Sequence, residues 1–86
     1  MPARIFVDVR EPYEYARGHV EGAINIPPMD LINGAAQLAE IPKDTEIVLY
    51  CLSGARSSVS ANILRAQGFA NVVNGINQDH VKARYF

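Results

Sequence analysis

Glu46-Ile47-Val48-Leu49-Tyr50-Cys51-Leu52-Ser53-Gly54-Ala55-Arg56-Ser57 joins the most legible strand of the chain to its only thiol. Ile47 to Tyr50 form an unbroken apolar run, the pattern of a strand covered on both faces, and this places residues 46–50 in the middle of a parallel sheet. Cys51 to Arg56 reads as a loop. Ser57 is a candidate N-cap for a helix whose apolar face is Val59, Ile63 and Ala66, and whose end is marked by Gly68. In open α/β sheets, sites form beyond the carboxyl ends of strands, where this thiol stands.

Working back toward the N-terminus, Pro42-Lys43-Asp44-Thr45 is a turn. Before it, Asp30 is a candidate cap for a helix with the apolar set Leu31, Ile32, Ala35, Leu38 and Ala39, weakened by Gly34. Ala23 to Ile26 is a short strand stopped by Pro27-Pro28. Tyr13 to Arg17 is a short helix with Pro12 near its first position and Gly18 at its close. Ile5 to Val9 is the first strand, entered directly from Met1-Pro2-Ala3-Arg4. Toward the C-terminus, Phe69 to Val73 is a last strand, and Asn77 to Phe86 is a weakly patterned tail, read as helix at most. Strands alternating with helices predict one α/β domain over residues 1–86, a mostly parallel open sheet with helices on both faces.

Composition narrows the function. A formal net charge of -1, with eight basic residues set against nine acidic ones and neither sign in a block, excludes a basic nucleic-acid footprint. No apolar stretch approaches the ~20 residues of a membrane span, and no signal-like apolar segment opens the chain. The expectation is a soluble cytoplasmic protein, or a periplasmic one if a signal has been removed. A single cysteine forbids an internal disulfide and a metal site built on several thiolates, and no metal or cofactor is called for.

A cysteine at a strand end is by itself more often core filler than nucleophile. Its loop adds chemistry. Successive backbone N–H groups in a strand-to-helix turn converge on one point, and the helix start beyond Ser57 adds partial positive charge. Gly54 permits a tight turn, and Arg56 supplies a permanent cation. Together these would lower the thiol from its ordinary ~8.5 and yield thiolate near neutral pH.

Cys51-x-x-Gly54-x-Arg56-Ser57 resembles the active-site loop of rhodanese-type sulfurtransferases. Asp8-Val9-Arg10-Glu11-Pro12-x-Glu14 resembles that family's first block, and Gly18 to Pro27 its second. Gly68-Phe69-x-Asn71-Val72 with Asn74-Gly75-Ile76 resembles its last strand and the turn after it. The resemblance implies that Cys51 takes a sulfur from thiosulfate or a similar donor, holds it as a persulfide within the amides of Leu52, Ser53, Gly54, Ala55, Arg56 and Ser57, and gives it to cyanide or a dithiol. A thioredoxin-like dithiol protein would be one such acceptor. Arg56 would hold the loop and attract an anionic donor, while Asp8 and Arg10 would serve chiefly as scaffolding.

Two other readings compete: a regulatory, sulfur-carrier or redox-sensing module, and a cysteine phosphatase or arsenate reductase. Four residues separate Cys51 from Arg56, against five in the phosphatases, and the loop shows no general acid. The chain also departs from the family. It begins almost at the first block, which would leave a bare sheet edge. It has Asn74-Gly75 where Gly-Gly is usual, it has no Trp, and neutral Leu52 and Ser53 follow the cysteine. His19 reads as a turn residue, His80 has no evident partner, and Tyr13, Tyr15 and Tyr50 read as packing residues.

Overall fold

The computed structural model describes residues 3–86; Met1 and Pro2, the start of the expected 1–86 domain, lie outside the described residues. Among the described residues the order is β1 (Arg4–Asp8), α1 (Pro12–Arg17), β2 (Ile24–Asn25), α2 (Pro28–Ile32), a 3-10 turn (Ala36–Leu38), β3 (Glu46–Cys51), α3 (Ala55–Ala66), β4 (Asn71–Asn77) and α4 (Gln78–Tyr85). The four strands are all parallel in the order β2-β1-β3-β4, so β1 and β3 are interior.

The unbroken apolar run of β3 has the cause expected of it. Ile47, Leu49 and Cys51 belong to the core under α2 and α3, together with Val7, Leu31, Ala61 and Leu64. Val48 and Tyr50 point the other way, into a second cluster with Val20, Ala23 and Val81, flanked by Tyr15 and Tyr85. The strand period of two thus feeds two layers, and helices cover both faces.

Several local expectations are corrected. Asp30 does not cap its helix: Pro27 is the cap and Pro28 the first residue, because proline already holds the backbone angle a helix start needs. That helix ends at Ile32, and Ala35 turns left-handed at φ 50°, so Leu31, Ala35 and Leu38 reach the core from a bent path that leaves Ile32 exposed. Ser57 is likewise no cap. Helix α3 starts two residues before it, with Gly54 as cap, and the free loop shrinks to Leu52–Gly54. The predicted face Val59-Ile63-Ala66 is largely exposed, and the helix buries Ser57, Ser60, Ala61 and Leu64, whose mostly small side chains allow close approach to the sheet. Its end closes as expected at Gly68, with Gly68 N–H donating to Arg65 O at 3.0 Å and Phe69 N–H to Leu64 O at 3.2 Å.

The last strand runs to Asn77, four residues past the expected end, and the weak tail is a docked helix. Asn77 caps it by accepting from His80 N–H at 2.8 Å, and Val81 is its buried anchor. Tyr13 is no packing residue; it is exposed. No helix among the described residues is long and apolar enough to cross a membrane.

Candidate active site

Cys51 ends β3 and is buried, 1% exposed. Immediately after it the chain must reverse into α3, and Gly54 makes that possible at φ 95°, a conformation costly for any residue with a Cβ. The reversal folds the first turn of α3 over the sulfur. Gly54 N–H donates to Cys51 Sγ at 3.2 Å and Ser57 N–H at 3.4 Å, while Ser57 Oγ lies 3.4 Å away. The sulfur therefore sits at the amino end of α3 and accepts from N–H groups there, where orphan donors and the helix dipole favour negative charge. Burial pushes the Cys51 thiol up, but the groups packed around the sulfur, among them the N–H groups of Ser57, Gly54 and Ser53, outweigh that and hold it at about 7.

The loop is tied on two sides. Arg56 points to α1, donating to Glu14 Oε1 at 2.8 Å and Oε2 at 3.1 Å, and this pairing is the main cause that draws Glu14 down to about 2. Glu14 also accepts Glu11 N–H at 2.9 Å, so one carboxylate closes the start of α1 and clamps it to α3. On the opposite side, Asn74 of β4 donates from Nδ2 to Gly54 O at 3.1 Å and accepts at Oδ1 from Ser57 Oγ at 2.6 Å. Beyond Asn74 the register with β3 shifts: Leu49 faces Asn74 but Cys51 faces Asn77, so β4 carries one extra residue. Ile76 takes φ 72° there. The bulge brings the start of α4 over the sulfur, and an open cleft of about 280 Å³ is lined by Cys51, Leu52, Asn77, Gln78 and Asp79.

Beneath the site lies a buried polar cluster. The Asp8 carboxylate accepts from Arg10 Nη2 at 2.6 Å, Arg10 Nε at 2.9 Å, Arg10 backbone N–H at 2.9 Å and Tyr50 Oη at 2.9 Å. Arg10 Nη2 also donates to Gly18 O at 2.7 Å, and Tyr50 Oη accepts Val20 N–H at 2.9 Å. This ties the ends of β1 and β3 to the turn that follows α1.

Of the residues singled out from sequence, Ser53, Gly54 and Ser57 meet at the Cys51 sulfur through their N–H groups, and Leu52 lines part of the cleft. Ala55 contributes the exposed first residue of α3. Arg56 is not aimed at the sulfur, and Asp8 and Arg10 bond to each other. His19 stacks on Tyr15 with ring centroids 3.7 Å apart and shares 2.9 Å between Nδ1 and Tyr15 O. Sequence reasoning passed over Asn74, Glu14 and the cleft residues Asn77 to Asp79. Glu14 and Asn74 each stand within a family-like block, but their partners lie 42 and 17 residues away. Among the described residues, no group of acids, histidine and cysteine is arranged to hold a metal ion.

A family model for the rhodanese-like domain matches residues 2–77. A sulfurtransferase of Allochromatium vinosum is 43% identical over 70 residues, covering 81% of this chain and 63% of that protein. A tRNA uridine(34) hydroxylase of Erwinia tasmaniensis is 38% identical over 74 residues, covering 83% of this chain and 21% of that protein. The chain thus spans less than two thirds of the length of these curated relatives. Among solved structures, a rhodanese with anions from E. coli superposes with a TM-score of 0.80 at 32% identity, covering 91% of each chain.

Proposed function

The chain belongs to the rhodanese-like domain family, and from that premise we propose that it transfers a sulfane sulfur through a persulfide on Cys51. The observation that carries this reading is the placement of a buried sulfur at the amino end of α3, with two N–H groups within 3.4 Å. Such donors are fixed before reaction and need no reorganisation when negative charge develops on the sulfur.

With thiosulfate as donor, the Cys51 thiolate attacks the outer sulfur. The new S–S bond forms as the bond to the sulfonate sulfur breaks, and sulfite leaves with the electron pair. Cys51 then holds an anionic persulfide within the same N–H groups. Cyanide or a dithiol attacks the outer sulfur, and the Cys51 thiolate departs, ready for the next turn. A thiol held at about 7 is already half ionised near neutrality, so no general base is required for the first step.

The cleft bears on the choice of donor. Asp79 puts a carboxylate in its wall, no lining residue is basic, and Arg56 and Arg10 are engaged with Glu14 and Asp8. A dianion meets this opening less favourably than a singly charged donor does. The proposal therefore names thiosulfate or a similar sulfane-sulfur compound, with small alkyl persulfides, which carry one negative charge fewer, taken up faster.

The test is intact mass after incubation with thiosulfate or with a small alkyl persulfide, with Cys51→Ser alongside. Gain of one sulfur atom by the native chain alone, released by cyanide or a dithiol, is expected. No gain from either donor, or equal gain by Cys51→Ser, would sink the proposal. Stable loading without release would point to a sulfur carrier, and Cys51-dependent hydrolysis of an aryl phosphate to a phosphatase.

A further inference from the structure

Ser57 has one hydroxyl proton and three acceptors around it: Asn74 Oδ1 at 2.6 Å, Gly54 O at 3.3 Å and Cys51 Sγ at 3.4 Å. The orientation of the Asn74 amide is fixed independently, because its other partners admit only one choice. Gly54 O can only accept, so Nδ2 faces it, and Ile76 N–H can only donate, so Oδ1 faces that, at 3.0 Å. An amide oxygen carries no proton. The 2.6 Å contact is therefore a hydrogen bond given by Ser57, and while it lasts the hydroxyl presents lone pairs, not a proton, to the sulfur.

We propose that Asn74 is a positioning residue that holds the Ser57 hydroxyl proton away from Cys51, leaving the backbone N–H groups as the donors to the thiolate. The arrangement suits both forms of the sulfur differently. A neutral thiol can donate to Ser57 Oγ, whereas a thiolate gains that hydroxyl only if Ser57 releases Asn74. Each additional hydrogen bond makes a thiolate more abundant but less nucleophilic, and the strongest attack comes from a thiol that ionises near the ambient pH. Asn74 thereby guards the reactivity of the sulfur against over-stabilisation. Its value to catalysis rests on the sulfur-transfer reading, but its effect on ionisation does not.

The single cysteine makes the measurement unambiguous. The rate of Cys51 alkylation by iodoacetamide is followed against pH for the native chain, Asn74→Ala, Asn74→Leu and the double variant Asn74→Ala/Ser57→Ala. Removing the Asn74 carbonyl frees the hydroxyl for the thiolate, so the midpoint should fall by about one pH unit, the tenfold effect of one added hydrogen bond to a charged group. Asn74→Leu keeps the bulk in place and should fall likewise, and the double variant should recover the loss. A loop merely loosened by the substitution would move the midpoint upward, since the N–H donors would lose their aim. A rise or no change in both Asn74 variants, or a fall that persists without Ser57, overturns the proposal. No sulfur donor is used, so failure here is distinct from failure to form a persulfide.

Discussion

Replacing Arg10 by Met removes one side of a buried ion pair while keeping an unbranched chain of similar reach. Arg10 is 4% exposed and Asp8 fully buried, so little water is available to take the place of the guanidinium. Stranding a buried charge in this way costs about 3–5 kcal/mol. Two donors to Asp8 survive, the backbone N–H of residue 10 and Tyr50 Oη, each at 2.9 Å, which sets the expectation at the lower end, about 3 kcal/mol. A domain of 86 residues holds roughly 4–13 kcal/mol in all, so much of its stability would go. Urea unfolding followed by tyrosine fluorescence should show the midpoint falling sharply. The double variant Asp8→Leu/Arg10→Met, which leaves no stranded charge, should cost less than the sum of the two single changes. A loss below about 1 kcal/mol in Arg10→Met, or strict additivity in the double variant, would refute the view that this pair is a mutually dependent scaffold under the site.

Two further outcomes follow from other contacts. A Cβ at Gly75 would stand 2.7 Å from Val81 Cγ2 and 2.9 Å from both Leu49 O and Val48 Cγ1. Gly75→Ala should therefore cost about 1–3 kcal/mol in urea unfolding, since the central strand cannot retreat, and an unchanged midpoint would contradict the close docking of α4. Glu14 is lowered on folding from an ordinary 4.5 to about 2, so the folded state binds its proton more weakly than the unfolded chain. The resulting stability is complete above pH 4.5 and is lost as pH falls toward 2. Glu14→Gln should flatten the stability–pH slope in that window, and an unchanged slope would argue against the Arg56 clamp.

The legible parts of the fold were those in which local pattern and tertiary setting agree. The four apolar residues of β3 announce burial on both sides, and Gly68 ends α3 by the geometry its position suggests. Local signals failed where a neighbour overrode them. Asp30 and Ser57 are good caps by residue type, but Pro27-Pro28 and Gly54 start their helices earlier, and the two polar residues fall inside the first turn. Val59 and Ile63 have helical spacing, yet the side of α3 that must approach the sheet beside Cys51 tolerates only small groups over most of its length. At the site, the sulfur and its amides were readable because they lie within seven consecutive residues, 51–57. Glu14 with Arg56, and Asn74 with Ser57 and Gly54, were not, since no local period reports a contact spanning 42, 17 or 20 residues.

The alternation of β3 also makes the sheet a partition between two sets of hydrogen bonds. Tyr50 sends its hydroxyl to the buried charges on one side, and the next residue, Cys51, sends its sulfur to the amides on the other. The thiolate thus forms one residue away in sequence from a strand of anionic wiring that it does not share. Inserting a single residue upstream in β3 would cross these circuits, turning the thiol into the carboxylate cage and the phenol into the anion cup. The partition separates the hydrogen bonds of the two groups, while Arg10 and Glu14 still feel each other's charge at its edge.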